Sequence, residues 1–209
     1  MTAPLAIAVA CIVSYLLGAI PFGFIVARAN GVDIRTVGSG NIGATNVWRT
    51  LGRKWGALVY ILDMGKGYVA ASVLPGLAAC GTGCENSAGL GLACGLLAVA
   101  GHNWPVFLKF KGGKGIATTA GVLLGVAPAA MGIGIAAWLV IFIVGRYVSL
   151  ASILAAVVVG AVGWLLYDSM LLRVVLTILS VFAVWRHHAN IRRLLDGNEN
   201  RFEFGKKKE

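Results

Sequence analysis

PAAMGIGIAAWLVIFIVGRYVSLASILAAVVVGAVGWLL, residues 128–166, reads as two apolar runs, Pro128 to Gly145 and Tyr147 to Leu166, separated by the single charge of Arg146. Each run is close to the roughly 20 apolar residues that an α-helix needs to cross the hydrocarbon layer. Working outward, the same pattern recurs at Pro4 to Ala27, Trp55 to Ala79, Asn86 to Gly101 and Ile116 to Val126 on one side, and at Met170 to Trp185 on the other. An all-α integral membrane protein with seven transmembrane helices is expected. The third and fourth spans are short enough that a re-entrant segment fits there. Pro21 is expected to kink the first helix, because proline lacks the N–H that the helical ladder needs.

Composition agrees, with 58% of the 209 residues hydrophobic and 12% charged. A mean hydropathy of +0.84 leaves no room for a separate soluble domain. One compact membrane domain over residues 1–209 is expected, with GKKKE at 205–209 a solvated, disordered tail. The net charge of +10 would suit nucleic acid in a soluble chain. Here the basic residues lie between apolar spans, so anionic lipid head groups and phosphorylated small molecules are the expected partners, and nucleic acid is not.

Orientation follows from where those bases fall. Five lie within Arg28 to Lys54, three within Lys109 to Lys114, one at Arg146 and seven from Arg186 onward. The alternate connections carry none and hold Glu85 and Asp168 instead. The positive-inside rule therefore puts the amino terminus outside and the carboxyl terminus in the cytoplasm, as an odd number of crossings requires. No basic residue precedes Arg28, so the charged start of a cleavable signal is lacking and the first helix is expected to be retained. Cys11 and Cys94 fall in apolar runs, whereas Cys80 and Cys84 share one loop and would pair only in an oxidising compartment. Neither a CxxC pattern nor any other metal-ligand spacing is present, and no metal or cofactor is expected.

Three basic clusters face the cytoplasm in this topology. The first is GSGNIGATNVWR, Gly38 to Arg49. Gly38, Gly40 and Gly43 spell GxGxxG, but that motif indicates a dinucleotide only inside a βαβ unit, which cannot form here. What survives is its physics: exposed N–H groups, side-chain donors on Ser39, Asn41, Thr45 and Asn46, and the Arg49 guanidinium, as a phosphate requires. The second is GHNWPVFLKFKGGKGIATTAG, Gly101 to Gly121, which sets Lys109, Lys111 and Lys114 among Gly112, Gly113 and Gly115, beside His102. Bare backbone and point charges again suit a phosphate, although Gly-Lys without a following Ser or Thr is no Walker loop. The third is RHHANIRRLLDGNENR, Arg186 to Arg201, in which His187 and Asn190 would share one face of a continuing helix. Its Ile191, Leu194 and Leu195 would equally suit an interfacial helix. Within the second span Asp63 and Lys66 lie three apart and are expected to pair, and Arg146 and Ser149 bring a further donor pair to the cytoplasmic side.

Together these clusters resemble the bacterial acyl-phosphate:glycerol-3-phosphate acyltransferases, the PlsY family. GSGNxGxTNxxR stands at Gly38 to Arg49, HxxPVFLxFKGGKGxAT at His102 to Thr118, and HxxNIxRLLxGxExR at His187 to Arg201, whose matched positions include Arg193 and Glu199. The resemblance implies transfer of a fatty acyl group from acyl phosphate to the 1-hydroxyl of glycerol 3-phosphate, yielding lysophosphatidic acid and phosphate, the entry step to bacterial phospholipids. It implies no acyl-CoA, acyl carrier protein or metal, and no obligatory protein partner. Location would be the inner membrane, with the active site on the cytoplasmic face. The HxxxxD signature of other glycerolipid acyltransferases is missing, since Phe107, Arg192 and Arg193 stand five residues after the three histidines.

On this resemblance the Gly38 to Asn46 loop (Gly38, Ser39, Gly40, Asn41, Gly43, Thr45, Asn46) is assigned to acyl phosphate, and Arg49, Lys114 and Ser149 to glycerol phosphate. His187 and Asn190 would orient the attacking hydroxyl. Lys66, His102, Lys109, Lys111, Gly112, Gly113, Arg193 and Glu199 are further candidates. An organic-phosphate transporter is the alternative, weakened by the scarcity of ionisable groups inside the spans.

Overall fold

A computed structural model describes residues 2–80 and 88–202, and every regular element among them is helical. Eleven α-helices follow in order: α1 Ala3–Ala19, α2 Phe22–Ala29, α3 Ala44–Leu51, α4 Arg53–Tyr68, α5 Leu74–Ala79, α6 Ala88–Asn103, α7 Ile116–Val126, α8 Pro128–Gly145, α9 Val148–Leu166, α10 Met170–Arg186 and α11 His188–Leu195. A π-helical turn, Val69–Val73, joins α4 to α5, so the second span runs without a gap from Arg53 to Ala79.

Among the described residues five helical stretches are long and apolar enough to cross a membrane: Ala3–Ala29, Arg53–Ala79, Ala88–Leu108, Pro128–Gly145 and Val148–Leu166. The pair α10 and α11 adds a sixth if its 54° bend is counted as one broken span. The expected count of seven is therefore not reached on length alone. The shortfall is α7, whose 11 residues rise only about 16 Å against a hydrocarbon core of about 30 Å. Pro21 acts as expected: α1 ends at Ala19 and α2 starts at Phe22, on either side of the proline. Cys84 and residues 205–209 lie outside the described residues, and with them the Cys80–Cys84 pairing and the solvated tail.

The helices form two compact units, one up to Pro128 and one from Ala129. In the first, α1 lies against α6 and α4 against α7 at backbone contact. A Cβ on Gly18 would strike the Ala98 carbonyl, and one on Gly121 the Met64 carbonyl. Small residues at such crossings let helices approach where lipid supplies no hydrophobic drive. In the second unit α9 and α10 make a hairpin, with Gly163 under Leu176 and the Trp164 indole donating to Thr177 at 3.0 Å. Ile12, Leu77, Val140, Val144 and Leu165 are exposed on helix flanks. Such apolar cladding is what a lipid-facing surface presents, and water would penalise it.

Candidate functional site

In the first unit the Gly38–Asn46 segment is built round a buried amide. The Asn46 side chain, 2% exposed, donates to the carbonyls of Ile34, Val37 and Asn41 at 3.1, 3.0 and 2.9 Å and accepts from the Ser39 N–H at 3.0 Å. Asn46 is thus the frame of this loop: its polar atoms are turned inward to the backbone, whereas a ligand would need them outward. Asn41 is half engaged the same way, accepting from the Gly43 N–H at 2.8 Å. Gly38, Ser39 and Gly40 remain exposed. Positive φ angles at Gly38 and Gly40, 60° and 67°, turn the main chain there in a way side chains resist. The chain then enters α3, whose first residues, Ala44 to Asn46, the sequence assigns to the loop. Its one buried stripe is Asn46 and Val47, and Thr45 and Arg49, four apart, share another face.

The second cluster follows the end of α6. The amides of Gly112 and Gly113 donate to the carbonyls of Asn103 and His102, at 3.2 and 3.1 Å, and so clamp the 109–115 loop onto the helix terminus. Lys109 and Lys111 are exposed on its outer side, Lys114 is half-buried, and α7 begins two residues later. Beneath lies a buried charge cluster. Asp63 Oδ1 is 2.8 Å from Lys66 Nζ and 3.5 Å from His102 Nδ1, with the three residues 1%, 3% and 5% exposed. Lys66 also donates to the Ile20 carbonyl at 2.9 Å, in the break that Pro21 opens. The expected Asp63–Lys66 pair is present. Its link to His102 went unread because helical spacing says nothing about a residue on another helix.

In the second unit Glu199 is a hub. Its Oε1 accepts from the Ser149 hydroxyl at 2.9 Å and from the Asn190 amide at 2.8 Å, and its Oε2 from the Arg193 guanidinium at 2.7 Å. Gly197, with φ of 71°, ends α11 and swings the chain back so that Glu199 reaches Ser149 at the start of α9. Burial by itself pushes the Glu199 carboxyl up, but the hydrogen bonds from Asn190, Arg193 and Ser149 outweigh it and hold the group below the ordinary 4.5. His187 does not lie on a continuing helix. α10 stops at Arg186 and α11 restarts at His188, leaving His187 as the junction residue with φ of −97° and ψ of 9°. Asn190 nevertheless stays within one turn, its N–H donating to the His187 carbonyl at 2.8 Å. The His187 Nδ1 lies 2.7 Å from the Ala183 carbonyl, so in a neutral ring Nδ1 carries the proton and Nε2 is the accepting nitrogen.

Replacing Glu199 by Gln should therefore destabilise the protein by about 2–3 kcal/mol, since the uncharged amide loses the Arg193 pairing and cannot accept from every donor. Detergent melting curves check this. Because the native carboxyl titrates below its unfolded value, its stabilisation is complete above pH 4.5 and is lost as pH falls below that value. The melting-point gap between wild type and Glu199→Gln should close correspondingly on acidification.

Among the described residues no group of three His, Cys, Asp or Glu side chains is placed to hold a metal. Fold and clusters define a class: a helical integral membrane protein whose polar groups gather into glycine-rich cationic loops and into buried clusters round the Asp63 and Glu199 carboxylates. A family model described as glycerol-3-phosphate acyltransferase matches residues 8–197, and the chain belongs to that family. The glycerol-3-phosphate acyltransferase of Desulforudis audaxviator (strain MP104C) is 48% identical over 202 residues, covering 92% of this chain and 94% of that protein. Two crystal structures of PlsY (YgiH), an integral membrane glycerol 3-phosphate acyltransferase, are similar throughout. Its glycerol 3-phosphate form has a TM-score of 0.85 at 41% identity, covering 94% of this chain and 96% of that one. Its lysophosphatidic acid form has a TM-score of 0.82 at 40% identity, covering 94% and 95%.

Proposed function

We infer that this protein acylates glycerol 3-phosphate at its 1-hydroxyl within the membrane, giving lysophosphatidic acid, with acyl phosphate as donor and inorganic phosphate as second product. The observation that carries the reading is family membership over nearly the whole chain, with relatives solved in glycerol 3-phosphate and lysophosphatidic acid forms. The donor is supported by chemistry: two phosphate groups must be brought together at a membrane surface, and a basic, glycine-rich set of loops offsets both. The hydroxyl oxygen forms a bond to the acyl carbonyl carbon, the bond from that carbon to the phosphate oxygen breaks, and the hydroxyl proton leaves with the released phosphate.

The Gly38 and Asn41 backbone amides and those that open α3 receive the donor's phosphate, while the Ser39, Gly40 and Gly43 amides are taken up within the loop, which Asn46 holds in shape. Arg49 and Lys114 receive the glycerol phosphate. Ser149, expected on the glycerol phosphate, donates its hydroxyl to Glu199, so in this reading it steadies the Asn190 network instead, and His187 and Asn190 orient the substrate hydroxyl. Purified protein in detergent, given acyl phosphate and glycerol 3-phosphate, should form lysophosphatidic acid and phosphate in equal amounts, and acyl-CoA should not replace the donor. Uptake of glycerol 3-phosphate into liposomes without turnover would favour a transporter instead.

The same reading places the protein in the bacterial inner membrane with seven crossings. α10 supplies the sixth long apolar helix, and α7 crosses as a short helix whose amino end stops below the surface. Irregular backbone at that depth is tolerated only where it lines a cavity, which suits the Gly112–Gly115 loop as a sunken anion site. An odd count puts the termini on opposite sides, and the basic carboxyl-terminal segment, drawn to the cytoplasm, leaves the amino terminus outside. A cysteine introduced at Thr2 should accordingly react with a membrane-impermeant maleimide added outside intact spheroplasts, and labelling only after lysis would reverse the topology.

A further inference from the structure

The Asp63–Lys66–His102 cluster has no part in the reaction as described, yet among the described residues of the first unit it is the most deeply buried group of ionisable side chains. Burying charge beside lipid is costly, and such groups persist where they serve a site. Two contacts tie the cluster to the loop of Lys114, and a third lies within the cluster. The His102 carbonyl accepts from the Gly113 amide at 3.1 Å. The ring of the same histidine lies under Gly113, so that a Cβ there would collide with Nε2. On its other edge His102 Nδ1 faces Asp63 Oδ1 at 3.5 Å. A carboxylate facing Nδ1 favours the tautomer protonated there and leaves Nε2 as the acceptor directed at the loop. The carboxylate is in turn anchored by Lys66, whose ammonium is held by the Ile20 carbonyl at 2.9 Å.

We propose that Asp63 is a positioning residue for the acyltransfer: acting through His102, it sets the path of the Gly112–Gly113 backbone and hence where the Lys114 ammonium meets the glycerol phosphate. The proposal rests on the reading of Lys114 as a ligand of that phosphate. A run of anchors passes from the break at Pro21 through Lys66, Asp63 and His102 to Gly113, one residue from Lys114. Gly113 must be glycine because the imidazole occupies the space of its side chain. Displacing the ring by about 1 Å would carry the adjacent lysine with it, and misplacement of that size is costly in a site that works by orientation.

The test is a double-mutant cycle in the detergent-solubilised full-length enzyme, reading KM for glycerol 3-phosphate, KM for acyl phosphate and kcat. Asp63→Asn should raise KM for glycerol 3-phosphate about tenfold while KM for acyl phosphate stays within a factor of about two. Combined with Lys114→Ala, it should add almost nothing to the KM increase of Lys114→Ala alone, because both act through one ammonium. Additive effects, or equal increases for both substrates, would overturn the proposal and leave Asp63 a structural residue. A silent Lys114→Ala would instead overturn the reading beneath it, and the proposal with it. If Asp63→Asn melts below the assay temperature, His102→Gln, which leaves the Asp63–Lys66 pair whole, carries the same cycle and the same two outcomes.

Discussion

Lys114→Ala and Arg49→Ala should each cut kcat/KM for glycerol 3-phosphate by roughly a hundredfold to a thousandfold, about 2.7–4 kcal/mol of transition-state stabilisation. Each removes a cation from a reaction that brings phosphate dianions together, and no metal ion is expected to make up the loss. The two residues reach the site differently. Lys114 stands on a loop whose main chain is pinned by the Gly112 and Gly113 amides, and its ammonium acts as a point charge. Arg49 projects from the last turn of α3, whose inner stripe is packed through Asn46 and Val47, and offers a planar fork of donors. Arg49→Lys should therefore recover only a minor part of the loss if both arms of the fork grip the phosphate, whereas Lys114→Arg should fail through size. Purified variants with unchanged constants for both substrates would remove these residues from the site.

His187→Ala should lose turnover by roughly a thousandfold through poor positioning of the glycerol hydroxyl, while His187→Asn and His187→Gln retain measurable activity. The expectation follows from what faces the ring. A histidine acting as general base is ordinarily steadied by a carboxylate. The His187 Nδ1 meets a backbone carbonyl, Ala183, at 2.7 Å, and the nearby carboxylate of Glu199 is taken up by Ser149, Asn190 and Arg193. A carbonyl at Nδ1 orients the ring and stabilises an imidazolium less than a carboxylate there would. The departing phosphoryl group, already ionised, is then the acceptor for the hydroxyl proton, and the protein's share is to align oxygen and carbonyl. A histidine base would make all three variants equally inactive and impose a pH-rate limb near the ordinary histidine value of about 6.5 that vanishes on substitution. Comparing wild type with His187→Gln across that range decides between them.

Hydropathy is a local property, and what depends on it was legible. The runs at Ile116–Val126 and Pro128–Gly145 coincide with α7 and α8, and the proline break in the first span falls where expected, because a missing N–H acts within one turn. Family membership was legible as well, since three long motifs in order need no coordinates. α3 was missed because it is short and polar, and it forms only once Val47 and Asn46 are packed and Trp48 covers Gly56 at the start of α4. The place of Asn46 in the loop was illegible for a related reason. An amide drawn as a ligand in one dimension turns out to be consumed by three carbonyls and an N–H that the folded loop brings round it.

By itself, then, the sequence determined which stretches are apolar enough to build the long helices and which residues carry cations, because both are read from side-chain chemistry within a few positions. Only the tertiary structure decided which of those side chains answer to one another. Asp63 faces His102 from a different helix, and Glu199 gathers Ser149 across 50 residues together with Asn190 and Arg193. Pairings of that kind arise from burial. A charged or amide group removed from water must find whatever partner the packed helices place beside it, and the identity of that partner is a property of the packing.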